Sequence, residues 1–150
     1  MTIAFTVYGV PQTKGSAKAF YKPGMRYPVI TNDNHRNKNW SQTVSAMAQQ
    51  HRPKDAHWDG PIALTLCFLM PIPKSLPKSR PVFMTKRPDL DKCLRSVKDA
   101  LKGVLYCDDS QVVVVFCWKK YGHQPGVVVE VERMDVVKDH RYAFQVKRVK

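Results

Sequence analysis

The run "IALTLCFLM", Ile62 to Met70, constrains the fold of this chain most. It has no charge and one hydroxyl, so a strand built from it is apolar in part on both faces and belongs in the middle of a sheet. Other strands follow from the period-two pattern. Ile3 to Val10 alternates and is rich in β-branched and aromatic residues, and "QVVVVFCWKKY" and "GVVVEVERM" read as two strands. The "GHQPG" between them predicts a hairpin with a loose turn. Two stretches are helical in period. In residues 39–51, Trp40, Val44, Met47 and Ala48 recur at one-turn spacing. In residues 91–102, Leu90, Leu94, Val97 and Leu101 share a side, while Asp91, Arg95, Lys98 and Lys102 share another about a quarter turn away. Gly103 suits the end of that helix. "PQTKGSAKAFYKPGMRYPVITNDNHRN" reads as a loop with a short extended piece around "RYPVIT". The expected fold is α+β, with residues 1–150 as one compact domain. It has a mixed sheet, about two main helices and a basic tail from about residue 138.

The charge is lopsided. Twenty-five Lys and Arg stand against 12 Asp and Glu, a formal net charge of +13 in 150 residues. Such an imbalance is the footprint of a partner that is a polyanion, and nucleic acid fits better than a membrane surface. There is no basic amphipathic helix or acylation signal to serve a membrane. No apolar run approaches membrane length, and "MTIAFTVYGV" lacks the basic and apolar regions of a signal peptide. A cytoplasmic location is expected. Cys67, Cys93, Cys107 and Cys117 form no CxxC pair and read as reduced, buried thiols. "PIPKSLPKSRPVFMTKRP" is basic, acid-free and stiffened by proline, so it is neither helix interior nor central strand.

Directly after this loop the acids concentrate: Asp89 and Asp91 at the entrance of the second helix, Asp108 and Asp109 before the strand at Gln111. An N-cap and a first-turn acid account for one or both of the first pair, at about 0.5–2 kcal/mol or less each. Turn formation accounts for the second pair. The alternative is a cation site. Carboxylates held close together repel unless a cation lies between them. One or two carboxylates with phosphate oxygens is a Mg²⁺ pattern. Basic neighbours would offset charge developing on phosphate. That combination suits a metal-dependent nuclease.

"RPDLDKCLRSVKDALKGVLYCDDSQV" resembles the signature of the RusA family of Holliday-junction resolvases, small endodeoxyribonucleases frequent in phages and prophages. The likeness comprises D-L-D, an aliphatic-basic helix ending in D-A-L, and D-D-S-Q-V, in that order. "FTVYGVPQTKGSAK" is similar to the family's opening strand and G-x-P-x-x-K-G element. The resemblance implies a Mg²⁺-dependent homodimer that cuts four-way DNA junctions by paired nicks, in DNA recombination and repair, leaving 5′-phosphate and 3′-hydroxyl ends. It implies that Asp89, Asp91 and Asp109 are the metal-holding catalytic acids and that Asp108 is a turn residue or helper. The family's catalytic lysine stands four residues beyond the second Asp of D-L-D, where this chain has Arg95. Arg keeps the charge but gives up no proton, and Lys98, one turn along, can partly replace the lysine. Lys14, Lys18, Lys86 and Arg87 are expected to position the DNA backbone.

A non-catalytic basic DNA- or RNA-binding module shares the same charge logic and would bind without regard to Mg²⁺. Other motifs weigh little. "NDNHRNKNW" lacks the ββα setting of an HNH nuclease, and the five histidines show no ligand spacing. Trp40, Trp58 and Trp118 fit a core better than a base-stacking platform.

Overall fold

A computed structural model describes residues 1–15, 17–20, 23–24, 26–27, 29–32, 36–54, 58–76 and 82–134. The tail from residue 138 and part of the proline-rich loop fall outside them.

The apolar run forms β4 (Ile62–Pro71), between β6 (Gly126–Arg133) and β5 (Val112–Gly122), and β1 (Thr2–Tyr8) completes a four-stranded sheet in the order β1-β6-β4-β5. β6 runs antiparallel to both β1 and β4, whereas β5 runs parallel to β4. The sheet is therefore mixed, as expected, but β5 and β6 do not form the expected hairpin. β4 needs a partner along each edge, and the two valine-rich strands flank it instead of pairing. Crossing β4 spans two strand spacings, about 9.6 Å. The four peptide steps from Gly122 to Gly126 reach roughly 14 Å, so a short connection that looks like a turn can bridge the gap.

Register sorts the side chains onto two faces. Ile3, Phe5 and Val7 align with Val131, Val129 and Val127, and these with Leu64, Leu66 and Phe68. All nine are buried. Two helices cover this face. α1 (Arg36–His51) buries Trp40, Val44 and Ala48, and α2 (Leu90–Leu101) buries Cys93, Val97, Ala100 and Leu101. α1 starts three residues earlier than its periodicity suggests, taking in Asn37, whose Oδ1 accepts a buried 2.5 Å bond from the Ser96 hydroxyl of α2. The other face holds the rows Thr6, Val128, Cys67, Trp118 and Ala4, Glu130, Thr65, Phe116, of which Val128, Trp118 and Phe116 are exposed.

β2 (Ala17–Phe20) pairs antiparallel with β3 (Val29–Asn32). The extended piece around "RYPVIT" is thus a strand, and its partner lies in what reads as loop. α2 ends at Leu101 with Lys102 as its C-cap, and Gly103 has φ +75°, the left-handed conformation that glycine tolerates. No helix among the described residues is long and apolar enough to cross a membrane.

All four cysteines are free thiols, but Cys107 is exposed, contrary to the expectation that the thiols are buried. It precedes the acidic turn rather than lying inside a strand. Burial pushes Cys67 up, Cys93 to about 11 and Cys117 to about 12, so these three remain protonated near neutral pH. Titration with a thiol-reactive chromophore at pH 8 should release one fast equivalent per chain, and Cys107→Ser should remove it. A second fast equivalent that Cys93→Ser or Cys117→Ser removes would show that the α2–β5 seam opens readily.

Candidate active site

α2 is oriented by what it buries. With Cys93, Val97, Ala100 and Leu101 turned to the sheet, the opposite arc of the helix carries Asp91, Arg95, Lys98 and Asp99 along a groove. These four, with Leu94 and Asp109, line a cavity of about 380 Å³. Asp109 enters from a different element, the short 3-10 turn Asp109–Gln111 that leads into β5.

That turn is built by its neighbours. The Asp108 carboxylate accepts from the Ser110 amide at 3.0 Å and from Lys102 Nζ at 2.7 Å. The Lys102 bond, with the Ser110 bonds, holds Asp108 far below the usual carboxylate range, and the same partner raises Lys102. Asp108 is therefore committed as a cap. Gln111 closes the turn. Its Oε1 accepts from the Cys107 and Asp108 amides at 2.7 and 2.9 Å, and its Nε2 donates to the Trp58 and Gly60 carbonyls at 2.7 and 3.1 Å. The D-x-x-Q spacing is that of a capping box, a signal that could have assigned Asp108 to the backbone from the sequence. What the turn presents to the cavity is Asp109. One of its oxygens, Oδ1, is buried with no hydrogen-bond partner among the described residues. A buried carboxylate oxygen without a partner is costly and calls for a cation or donor.

Beneath this end of the groove lies Tyr106, buried, with its hydroxyl donating to the Lys98 carbonyl at 2.9 Å. Burial, with the nearby charges of Asp109 and Asp99, raises its phenol far above the usual range. Asp99 and Asp109 thus share one end of the groove, and Asp91 lies at the other, eight residues or about 12 Å of helix rise away.

Asp89 is elsewhere. It occupies the N-cap position of α2 but makes no side-chain cap bond. Its carboxylate pairs with Lys92 at 3.2 Å and lines a separate cavity of about 430 Å³ with Thr13, Arg87, Pro88 and Lys92. Both partners are about half exposed, so this tie is weak. Among the described residues, no three His, Cys, Asp or Glu side chains stand close enough together to hold an ion as arranged. The donors nonetheless suit a hard divalent cation in kind: carboxylate oxygens, one of them buried and unsatisfied, beside two basic side chains.

The other residues singled out in the sequence lie on other segments of the chain. Lys14 pairs with Asp99. Lys18 lies in β2, and Lys86 and Arg87 are exposed on the approach to α2. Asp99 was visible in the sequence only as the acid of "KDAL". Its place eight residues from Asp91, about 2.2 turns on and within the same charged arc of the helix, was the signal.

The fold and the acidic groove can now be set beside known proteins. Residues 10–132 match the family described as Endodeoxyribonuclease RusA. The chain belongs to the RusA endodeoxyribonuclease family. Membership implies Holliday-junction-resolving endonuclease activity, with branched DNA as the partner, and RusA resolvases generally depend on a divalent metal. The chain is also 33% identical to Uncharacterized protein YqaN of Bacillus subtilis (strain 168), over 88% of this chain and 96% of that one.

One interaction outside the groove ties its entrance down. Lys119 of β5 donates through Nζ to the carbonyls of Lys86 and Pro88, at 2.6 and 2.5 Å, just before α2. Lys119→Met would leave both carbonyls without that donor. It should lower stability by about 1–2 kcal/mol in urea denaturation and reduce cleavage severalfold through displacement of Asp89 and Asp91. Unchanged stability and rate would show that the loop holds itself.

Proposed function

We propose that this RusA-family chain is a Mg²⁺-dependent homodimer that cuts four-way DNA junctions by paired nicks. The observation that carries the proposal is one groove lined by carboxylates from two elements, Asp91 and Asp109, with Arg95 and Lys98 between them, on a chain of net charge +13.

Asp91 and Asp109 would supply the hard oxygen donors. Asp89, which lines the neighbouring cavity, is held there by one exposed ion pair and would add a donor only by leaving Lys92. When bound, a divalent ion would polarise the scissile phosphate and favour ionisation of water. The chain's cations do the rest. Arg95 can grip two phosphate oxygens through its planar fork, and with Lys98 it offsets the negative charge that grows as water attacks in line. Of the two, only Lys98 can give up a proton, so Lys98 Nζ is the group placed to protonate the departing 3′ oxygen. Lys18, Lys86 and Arg87 would serve as phosphate contacts.

The homodimer follows from the substrate's symmetry, because paired nicks on a two-fold junction need two equivalent sites. The sheet face opposite the two helices suits that contact. It bears exposed Val128, Phe116 and Trp118, and its register places Glu130 and Lys120 there as well, so two copies related by a two-fold can pair apolar with apolar and acid with base. Elsewhere a surface this basic repels its own copy.

Incubation of a labelled four-way junction with and without Mg²⁺ tests the activity. The wild type should nick opposite strands only with the ion. Asp91→Asn and Asp109→Asn should each lose roughly 100-fold or more of the rate while junction binding in a gel shift survives. Arg95→Lys should keep most of the rate, and Arg95→Ala should lose most of it. Binding without nicks, indifferent to Mg²⁺, would instead identify a nucleic-acid-binding module. Normal cutting by Asp91→Asn would remove that residue from the site. For the dimer, light scattering should show two copies for the wild type and one for Phe116→Lys/Trp118→Lys; a monomeric wild type would overturn the assembly.

A further inference from the structure

The segment that leaves β1 lies along α2 and is fastened there twice by one residue. The Lys14 amide donates to the Lys92 carbonyl at 3.2 Å, and Lys14 Nζ pairs with Asp99 Oδ2. Asp99 is no bystander to the groove. It lines the same cavity as Asp91 and Asp109, and it acts electrostatically, with Asp109, on both Tyr106 and Lys102. Three carboxylates line that cavity against the two cations Arg95 and Lys98, and Lys14 supplies the third positive charge. Lys102 is near the same end but is bonded to Asp108.

We propose that Lys14 is the resident counter-cation of the groove, a positioning residue that occupies Asp99 and gives it up when a divalent ion enters beside Asp109. This rests on the reading of the groove as a divalent-ion site. Three observations support the exchange. The Lys14–Asp99 pair is partly open to solvent, 42% and 30% exposed, so its net strength is small and it can be replaced. The buried Oδ1 of Asp109 at the same end, without a hydrogen-bond partner among the described residues, asks for a cation that Lys14 does not provide. An ion of twice the charge attracts Asp99 more strongly than an ammonium does. Once released, Lys14 stands at the rim of the groove with its charge unspent, free for a phosphate of the DNA. The ion would thus both arm the groove and free a backbone contact, a coupling that favours binding of substrate to the loaded protein.

The test uses DNA-free protein and Mn²⁺, with free ion read by electron paramagnetic resonance and folding checked by thermal melts. Asp109→Asn should lose most Mn²⁺ binding, and Asp99→Asn should weaken it. Lys14→Gln should bind Mn²⁺ roughly 2- to 5-fold tighter than wild type, the ratio that corresponds to an exposed ion pair. Lys14→Arg should match wild type. In the Asp99→Asn background, Lys14→Gln should change nothing. If Lys14→Gln does not fold, Lys14→Met removes the same charge. Wild-type binding by Asp109→Asn would overturn the divalent groove itself. Loss of binding in Asp109→Asn with unchanged or weaker binding in Lys14→Gln would overturn only the role of Lys14. Equal tightening in the Asp99→Asn background would do so too, because the effect would then be general charge rather than this pair.

Discussion

Everything at the groove depends on how α2 is rotated, and burial decides that. Cys93, Val97, Ala100 and Leu101 face the sheet. Fully burying a Val or Leu side chain is worth about 1.5–3 kcal/mol. A turn of one residue, about 100°, would expose part of that stripe and carry charged side chains toward the core. No surface ion pair competes with a penalty of that size. The buried Ser96–Asn37 bond adds a directional constraint, because slippage of α1 against α2 would strand two polar groups. The arc bearing Asp91, Arg95, Lys98 and Asp99 is therefore held toward the groove by residues that do no chemistry.

Within that frame, the acids differ mainly in what already neutralises them. Asp108 is matched by Lys102 and two bonds from Ser110, Asp89 by Lys92, and Asp99 by Lys14. Asp109 keeps a buried oxygen without a partner. A chain with this excess of Lys and Arg could have covered every carboxylate. An orphaned one at the end of a basic groove is where an added cation gains most, since it meets a desolvated charge rather than displacing an existing pair.

Much of this was legible in the residues. The two-sided apolar run from Ile62 to Met70 demanded a central strand, and the 3.6-residue repeat separated the buried and charged sides of α2 before any coordinates. The D-x-x-Q spacing carries the division of the D-D pair, with Asp108 capping the turn and Asp109 lining the cavity. Other features were not legible, because they depend on how segments are placed in space rather than on local pattern. "GHQPG" carries the same local signal whether its strands pair or flank a third one. Ala17 to Phe20 is too short to announce a strand without its partner. The side chains of Asp89 and Asp91 look equivalent in D-L-D, yet the helix start sends them to different cavities, and only the Lys14–Asp99 contact across 85 residues gives Asp99 a partner.

The parallel pairing of β5 with β4 has a consequence that a hairpin would not. It starts β5 beside the start of β4, with Val112 next to Ile62, so Gln111 can reach back to the Trp58 and Gly60 carbonyls and fix the turn that carries Asp109. Seven residues further along, the same strand delivers Lys119 to the carbonyls that precede α2. One strand thus anchors both acidic segments, and α2 spans the distance between the anchors. Had β5 paired with β6, its far end would have been tied to the turn at Gly122 and its near end would have lost the β4 edge. The acids would then have had no common ruler. The mixed sheet is in this sense part of the site: it sets the length of the groove between the two acidic segments.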